Sequence, residues 1–146
     1  GGRETRPFYG LLMILLSIIL IPFHELFHAV ALPSWGPETT IIFQWSFIAG
    51  ICSYEKELSR GRYIVFLLTP TFALTILPLL YHLVFRPKNH ILAIIALTNT
   101  VCSCLDYFNI GFILGNIPKD SLIWGNNGKI YWRKMRMPSH NTNSIG

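Results

Sequence analysis

The stretch LIPFHELFHAVAL, residues 20–32, places His24, Glu25 and His28 inside an apolar run. The run extends from Phe8 to Leu32, and its 25 residues exceed the roughly 20 that a helix needs to cross a bilayer. Because an ionisable side chain costs about 2–3 kcal/mol at the centre of an inserted helix, three of them there favour a functional site. The alternative is that the segment ends the span and that its polar groups reach into the membrane interface.

The composition of the 146 residues is typical of a membrane protein. Hydrophobic residues make up 51% and charged residues 13%, whereas soluble domains carry about 25% charged residues. The apolar content excludes intrinsic disorder for most of the chain, and three cysteines are too few for a disulfide-stapled scaffold. The basic residues behind the net charge of +5 flank the apolar runs and fill the tail, so we expect no nucleic-acid partner.

Three apolar stretches predict three main transmembrane helices. The second stretch runs from Tyr63 to Phe85 and the third from Ile91 to about Ile117. Between the first two, residues 43–47 alternate apolar and polar side chains, and Ala49-Gly50 offers a turn, which predicts an interfacial β-hairpin over residues 41–54. The predicted fold class is a membrane all-α protein with three main transmembrane helices, this hairpin and a short soluble C-terminal tail.

The chain is expected to form a single domain over residues 1–137, followed by a disordered tail over residues 138–146. With three spans, the N-terminus shares a membrane side with the loop at 86–90, and that side holds four Lys and Arg residues. The side of the hairpin and the tail holds eight. The positive-inside rule therefore predicts that the C-terminus and the opening of the site face the cytoplasm.

The ionisable residues of the first span form the pattern His-Glu-x-x-His. Residues four apart lie on one face of a helix, so the imidazoles of His24 and His28 can reach a single metal ion. The carboxylate of Glu25 is then placed to activate a water held by that metal. This pattern predicts a catalytic metal site within the first span.

A catalytic zinc site has three protein ligands and one open position, and Asp106 is the candidate for the third ligand. It is the single acidic residue of the third span. At a rise of 1.5 Å per residue, His24 lies about 24 Å beyond Phe8 and Asp106 about 22 Å beyond Ile91. Since both spans run in the same direction, the two side chains are expected at nearly the same depth. The alternative is that Asp106 caps a helix end or pairs with a basic residue of the tail.

The chain resembles a known group of enzymes. An H-E-L-F-H segment at the end of an apolar span, then a hairpin, then a span with Asp106, looks like the site-2 protease clan of intramembrane zinc metalloproteases. More narrowly, roughly residues 10–132 resemble a small family of zincin peptidases known mainly from bacterial genomes. The narrower resemblance is carried by these segments and residues: residues 23–29, residues 58–63 with Pro70, residues 97–99, Asp106 and residues 117–122.

The resemblance implies an intramembrane zinc metalloprotease that hydrolyses a peptide bond in or beside the bacterial cell membrane. Carried over by position, the Zn²⁺ ligands are His24, His28 and Asp106. Glu25 is the catalytic general base, and Asn99 binds substrate, with a plain hydrogen bond between helices as the alternative role for Asn99. The implied partners are the lipid bilayer and a membrane-embedded protein or peptide substrate, and exclusion of water by so few spans could require a homo-oligomer.

Two other classes of function stay open at this point. One is a catalytically silent zinc-binding membrane module or scaffold, and the other is a zinc hydrolase that acts on a bond other than a peptide bond. The hairpin over 41–54 also has two interpretations. It is either an edge with which an extended substrate pairs, or a lid or interfacial anchor.

Overall fold

The computed structural model describes residues 5–34, 38–44, 49–87, 90–126 and 129–135. The predicted disordered tail and residues 45–47 of the alternating segment lie outside these ranges. In chain order the elements are α1 (Thr5–Val30), β1 (Thr39–Gln44), β2 (Ala49–Tyr54), β3 (Leu58–Ser59), α2 (Arg60–Thr71), a π turn (Phe72–Ile76), α3 (Leu77–Phe85), α4 (Ile91–Cys102), α5 (Cys104–Asn116), β4 (Ser121–Asn126) and β5 (Lys129–Lys134).

The ionisable residues near the end of helix α1 lie on its buried side. Leu20, His24 and His28 follow one another at intervals of four residues and are all buried, as is Glu25. Because residues four apart share a helix face, one stripe of α1 points into the molecule. The opposite side, which includes Phe23, is exposed.

Helix α2, the π turn and α3 form one continuous helix over Arg60–Phe85. It begins at Ser59, whose hydroxyl accepts the N–H of Arg62 at 3.4 Å in the manner of a helix cap. It ends at Arg86, which adopts the left-handed conformation with φ 44°. Pro70 lies inside this helix, just before the π turn.

Helices α4 and α5 meet at Ser103 with a bend of 50°. Ser103 has ψ 6° and so leaves helical geometry, while its side chain is fully buried. The bend turns α5 so that Tyr107 meets α2, where its hydroxyl accepts a hydrogen bond from Thr71 Oγ1 at 3.0 Å. Both halves of the bent pair therefore pack on the neighbouring helix.

The strands form two antiparallel sheets in the described part of the chain. In the first, β1 pairs with β2 in the register Thr39↔Tyr54, where the sequence predicts a hairpin. Ala49 and Gly50, the predicted turn, belong instead to strand β2. In the second sheet, β4 lies between β3 and β5. The hydrophobic core joins this sheet to the helices and consists of Leu32, Tyr54, Leu58, Tyr63, Phe66, Leu67, Ile113, Ile117 and Ile123.

The predicted fold class, an all-α protein of three transmembrane helices, is wrong. Among the described residues, one helix, Arg60–Phe85, is long and apolar enough to cross a membrane, and α4 with α5 would be a second if the bent pair were a single span. The described apolar part of α1, Ile14–Val30, is shorter. The third predicted span is interrupted because the helix breaks at Ser103.

The predicted soluble C-terminal tail contains strands β4 and β5, which belong to the second sheet. In β4, Ser121, Ile123 and Gly125 are buried at alternate positions, which is the period of a strand with one covered face. The basic residues around this segment obscured that period in the sequence. The chain therefore combines helices with two small sheets.

Candidate metal centre

Three predicted ligands converge at the point where α1 meets α5. Asp106 Oδ2 lies 3.1 Å from His24 Nε2, and Asp106 Oδ1 lies 3.4 Å from His28 Nε2. One ligand atom from each of the three residues lies within 4.8 Å of the other two. All three side chains are buried, so a single carboxylate satisfies both imidazoles inside the protein.

The donor set fits a zinc ion. Two imidazole nitrogens and one carboxylate oxygen match the three protein ligands of a catalytic zinc site. At ordinary zinc-to-ligand distances, the atoms of a tetrahedral site lie about 3.4 Å apart, which is close to the His–Asp separations of 3.1 and 3.4 Å. Zinc is also the ion that the sequence pattern predicts.

Asn99 binds the ring nitrogen of His24 that does not face Asp106. His24 Nδ1 donates to Asn99 Oδ1 at 3.0 Å, which leaves Nε2 to face Asp106. The amide nitrogen of Asn99 in turn donates to Thr75 Oγ1 at 2.9 Å and to the Pro70 carbonyl at 3.3 Å. Such partners of a ligand imidazole fix its tautomer and its orientation. Asn99 therefore links the metal centre to α2 and the π turn.

The second histidine is held by a backbone group. His28 Nδ1 donates to the carbonyl oxygen of Phe66 at 2.9 Å, and the ring of His28 also contacts the Phe66 ring with a centroid separation of 4.9 Å. Both imidazoles therefore use Nδ1 for a protein partner. As a result, both Nε2 atoms point towards the same carboxylate.

Glu25 lies beside the three ligands but belongs to a different set of contacts. It is buried, and its carboxylate accepts a hydrogen bond from the backbone N–H of Cys52 in β2. Gly50 in the same strand packs so closely that a Cβ there would lie 2.8 Å from Glu25 Oε1 and 2.9 Å from its Cδ. Strand β2 can therefore reach the carboxylate because residue 50 has no side chain.

A cavity of about 190 Å³ adjoins the centre. Its polar wall includes Glu25, His28 and Asp106, and residues of β2 line another side. Cys52 is among them, and burial, followed by the nearby Glu25 charge, raises the pKa of its thiol to about 12. Because thiolates rather than thiols bind metals, Cys52 is not expected to act as a ligand at neutral pH.

Asn99 differs from the other predicted site residues in its surroundings. It is 0% exposed and does not line the cavity, and its described contacts are hydrogen bonds to residues of neighbouring helices. These contacts correspond to the alternative role, a hydrogen bond between helices. A contact between Asn99 and substrate stays a prediction.

Sequence reasoning missed the groups that hold the ligands. The Phe66 carbonyl carries no side-chain signature, and Thr75 and Gly50 are ordinary residues of apolar segments. One signal was present in the sequence: Pro70 interrupts a helical pattern, and a helix-interior proline leaves a carbonyl four residues earlier without its usual donor.

A buried two-histidine, one-aspartate centre with a glutamate at its side is the arrangement of a zinc metallohydrolase. Among protein-family models, residues 17–122 match the family described as "Putative zincin peptidase". The match spans well over half of the chain, and the chain belongs to this family, as the narrower resemblance predicts. Searches of curated proteins and of solved structures found no match.

The substitution Asn99→Leu is expected to weaken zinc binding by about 10- to 100-fold, because His24 loses the acceptor that fixes its tautomer. Zinc affinity is measured by competition with a chromophoric chelator in detergent-purified protein. Asn116→Leu is the matched control, since Asn116 is exposed and bonds to Phe112 of its own helix. Equal affinities in the native protein and Asn99→Leu would contradict the role assigned to Asn99.

Proposed function

We propose that this chain is a zinc metallopeptidase that cleaves a peptide bond of a membrane-bound protein or peptide, in the manner of the site-2 protease clan. The observation that carries the proposal is the buried centre of His24, His28 and Asp106, with the Glu25 carboxylate beside it. Membership in the zincin peptidase family supports the peptidase class. The site within the membrane and the mechanism below are the proposed refinements.

Glu25 is the group that moves protons in the proposed reaction. His24, His28 and Asp106 would hold the zinc ion, which would supply a lowered water pKa and polarisation of the substrate carbonyl. Glu25 accepts a proton from the attacking water, whose oxygen adds to the peptide carbonyl carbon. When the C–N bond breaks, Glu25 returns that proton to the leaving amine. The Cys52 N–H and the close packing of Gly50 hold the carboxylate in place for both transfers.

The hydrogen bonding of a helix favours an extended substrate. In an α-helix each backbone carbonyl accepts the N–H of the residue four positions later, so an intact substrate helix offers no free carbonyl to the centre. A substrate helix therefore has to unwind beside the cavity of about 190 Å³ before it can be cleaved.

Strand β2 supplies an edge at the right place for such a segment. The N–H of Glu55 donates to the carbonyl of Glu38, so these two residues form a hydrogen-bonded pair of the β1–β2 ladder. Hydrogen-bonded and non-hydrogen-bonded pairs alternate along an antiparallel ladder, and Gly50 and Cys52 fall in the non-hydrogen-bonded pairs. The backbone groups of Gly50 and Cys52 then face away from β1, on the side of Glu25. We propose that an extended substrate lies along this edge. It would pair with the other backbone groups of Gly50 and Cys52, because the Cys52 N–H is bonded to Glu25.

The exposed surface of the helices supports a location in a membrane. In the most apolar window of the Arg60–Phe85 helix, 28% of the residues are buried, whereas a core helix of a soluble protein is mostly covered. On α5, Leu105 is 72% and Phe108 is 71% exposed. Lipid is the environment that such a surface fits, and we propose that the chain is an integral membrane protein.

The basic residues support one orientation. Arg60 and Arg62 lie at the start of the candidate span, directly after β3. Strand β5, in the same sheet as β3, carries Lys129, Arg133 and Lys134. By the positive-inside rule this end faces the cytoplasm, and the cavity lies at the same end because β2 and β5 line it.

Glu25→Gln is expected to abolish cleavage and to spare zinc, because the amide cannot accept the proton of the attacking water. Cleavage is followed in proteoliposomes on a library of single-span reporter peptides, with zinc content measured on the same preparation. Glu55→Gln, an exposed glutamate beyond β2, is the control and is expected to retain both properties.

Two results would contradict the proposal in this experiment. Full turnover by Glu25→Gln would show that another group carries the proton. Zinc-loaded native protein that cleaves no reporter in the library would favour the silent zinc-binding module.

Gly50→Ala is expected to reduce cleavage by at least tenfold with little effect on zinc affinity, because the new Cβ displaces the Glu25 carboxylate and leaves the ligands in place. A 1 Å displacement of a catalytic group can cost about 100-fold in rate. Gly115→Ala is the matched control, since a Cβ there meets nothing within 4 Å. Unchanged cleavage by Gly50→Ala would refute the close-packing argument for β2.

A further inference from the structure

The Phe66 carbonyl can accept a hydrogen bond from His28 because of the residue that follows it four positions later in the sequence. In an α-helix the carbonyl of residue i accepts the N–H of residue i+4, and for Phe66 that residue is Pro70. Proline has no N–H, and its ring crowds the carbonyl four residues before it, which tilts away from the helix axis. The Phe66 carbonyl therefore lacks its intrahelical donor at a buried position and accepts His28 Nδ1–H at 2.9 Å instead.

We infer that Pro70 is a positioning residue of the metal centre, an inference that rests on the proposed zinc function. By supplying no N–H to Phe66, Pro70 reserves that carbonyl for His28. The hydrogen bond fixes the tautomer of His28 with the proton on Nδ1, and Nε2 then faces Asp106 at 3.4 Å. Pro70 acts on His28 through the Phe66 carbonyl.

Pro70 also supports His24, through Asn99. Pro70 is fully buried, with less than 2% of its surface exposed. Its own carbonyl accepts the amide of Asn99 at 3.3 Å, and Asn99 in turn holds His24. The carbonyls of Phe66 and Pro70, one helical turn apart, thus support both imidazoles. Pro70 therefore lies where two carbonyls of one helix accept hydrogen bonds that support the centre.

A second proline in the same continuous helix provides a comparison within the chain. Pro78 lies at the start of α3, and it lines an apolar surface groove with Leu77 and Tyr81 rather than the cavity of the metal centre. It removes an N–H from the helix just as Pro70 does. Any effect of proline removal that is general to this helix is therefore expected from both positions.

The test compares Pro70→Ala with Pro78→Ala in detergent-purified full-length protein. Zinc affinity is measured by chelator competition, and thermal unfolding is measured on the metal-free protein. Pro70→Ala is expected to bind zinc about tenfold more weakly, in the range seen when a partner of a ligand histidine is lost. Its unfolding temperature is expected to stay close to the native value or to rise, because the better helix propensity of alanine offsets the loss of the buried His28 hydrogen bond. Pro78→Ala is expected to bind zinc like the native protein.

Two outcomes of this comparison would overturn the inference. One is native zinc affinity in Pro70→Ala. The other is a joint fall of zinc affinity and unfolding temperature, which would show a general structural role. Failure of the native protein to bind zinc is a different result, because it removes the proposed function.

The tautomer of His28 can be measured without zinc. This measurement tests the inference even if the native protein binds no zinc. Metal-free native protein is labelled with ¹⁵N-histidine, and the His28 signals are assigned by their loss in His28→Gln. The native protein is expected to show His28 protonated on Nδ1, and Pro70→Ala a mixture of the two tautomers. His28 protonated on Nε2 in the native protein would overturn the inference.

Discussion

The structure depends on one interaction, the sharing of the Asp106 carboxylate by the imidazoles of His24 and His28 at 3.1 and 3.4 Å. These three groups are buried among helices whose outer surfaces are apolar. A buried charge is tolerated when it is paired and hydrogen-bonded, and each of these groups has such partners. The arrangement ties α1, from the first third of the chain, to α5, from the last third.

The remaining elements hold these groups in place. Helix α2 supplies the Phe66 and Pro70 carbonyls, the π turn supplies Thr75, and α4 supplies Asn99. Irregular helix is common near functional sites, and here the π turn and the 50° bend at Ser103 both lie next to the centre. Strand β2 closes the site on the side of Glu25, through the Cys52 N–H and the close approach of Gly50.

Much of the site could be predicted from the sequence because its chemistry lies in residue types. His24, Glu25 and His28 stand out by their spacing within an apolar run, and Asp106 by being the single acid at a matching depth. The holding groups could not be predicted, since a backbone carbonyl has no signature and the contacts of Asn99 depend on how three helices pack.

The fold was harder to predict than the site. Apolar length suggested three spans, but length does not show where a helix bends, and Ser103 is a common residue within apolar helices. In the β4–β5 hairpin only β4 buries alternate residues, while β5 carries Lys129, Arg133 and Lys134 and is largely exposed, so the charge of β5 concealed the alternation of β4. The alternation at residues 43–47 predicted a hairpin where β1 and β2 pair, but it did not fix the strand bounds, and the predicted turn residues Ala49 and Gly50 belong to β2.

If residues from α1 and α5 form one zinc site, the zinc content per chain of purified protein will show it when Asp106→Ala is measured beside the native sequence. The native chain is expected to hold about one zinc, and Asp106→Ala to lose it or to bind it much more weakly. No zinc in the native protein after metal reconstitution, or equal zinc in both proteins, would contradict a zinc site shared by α1 and α5.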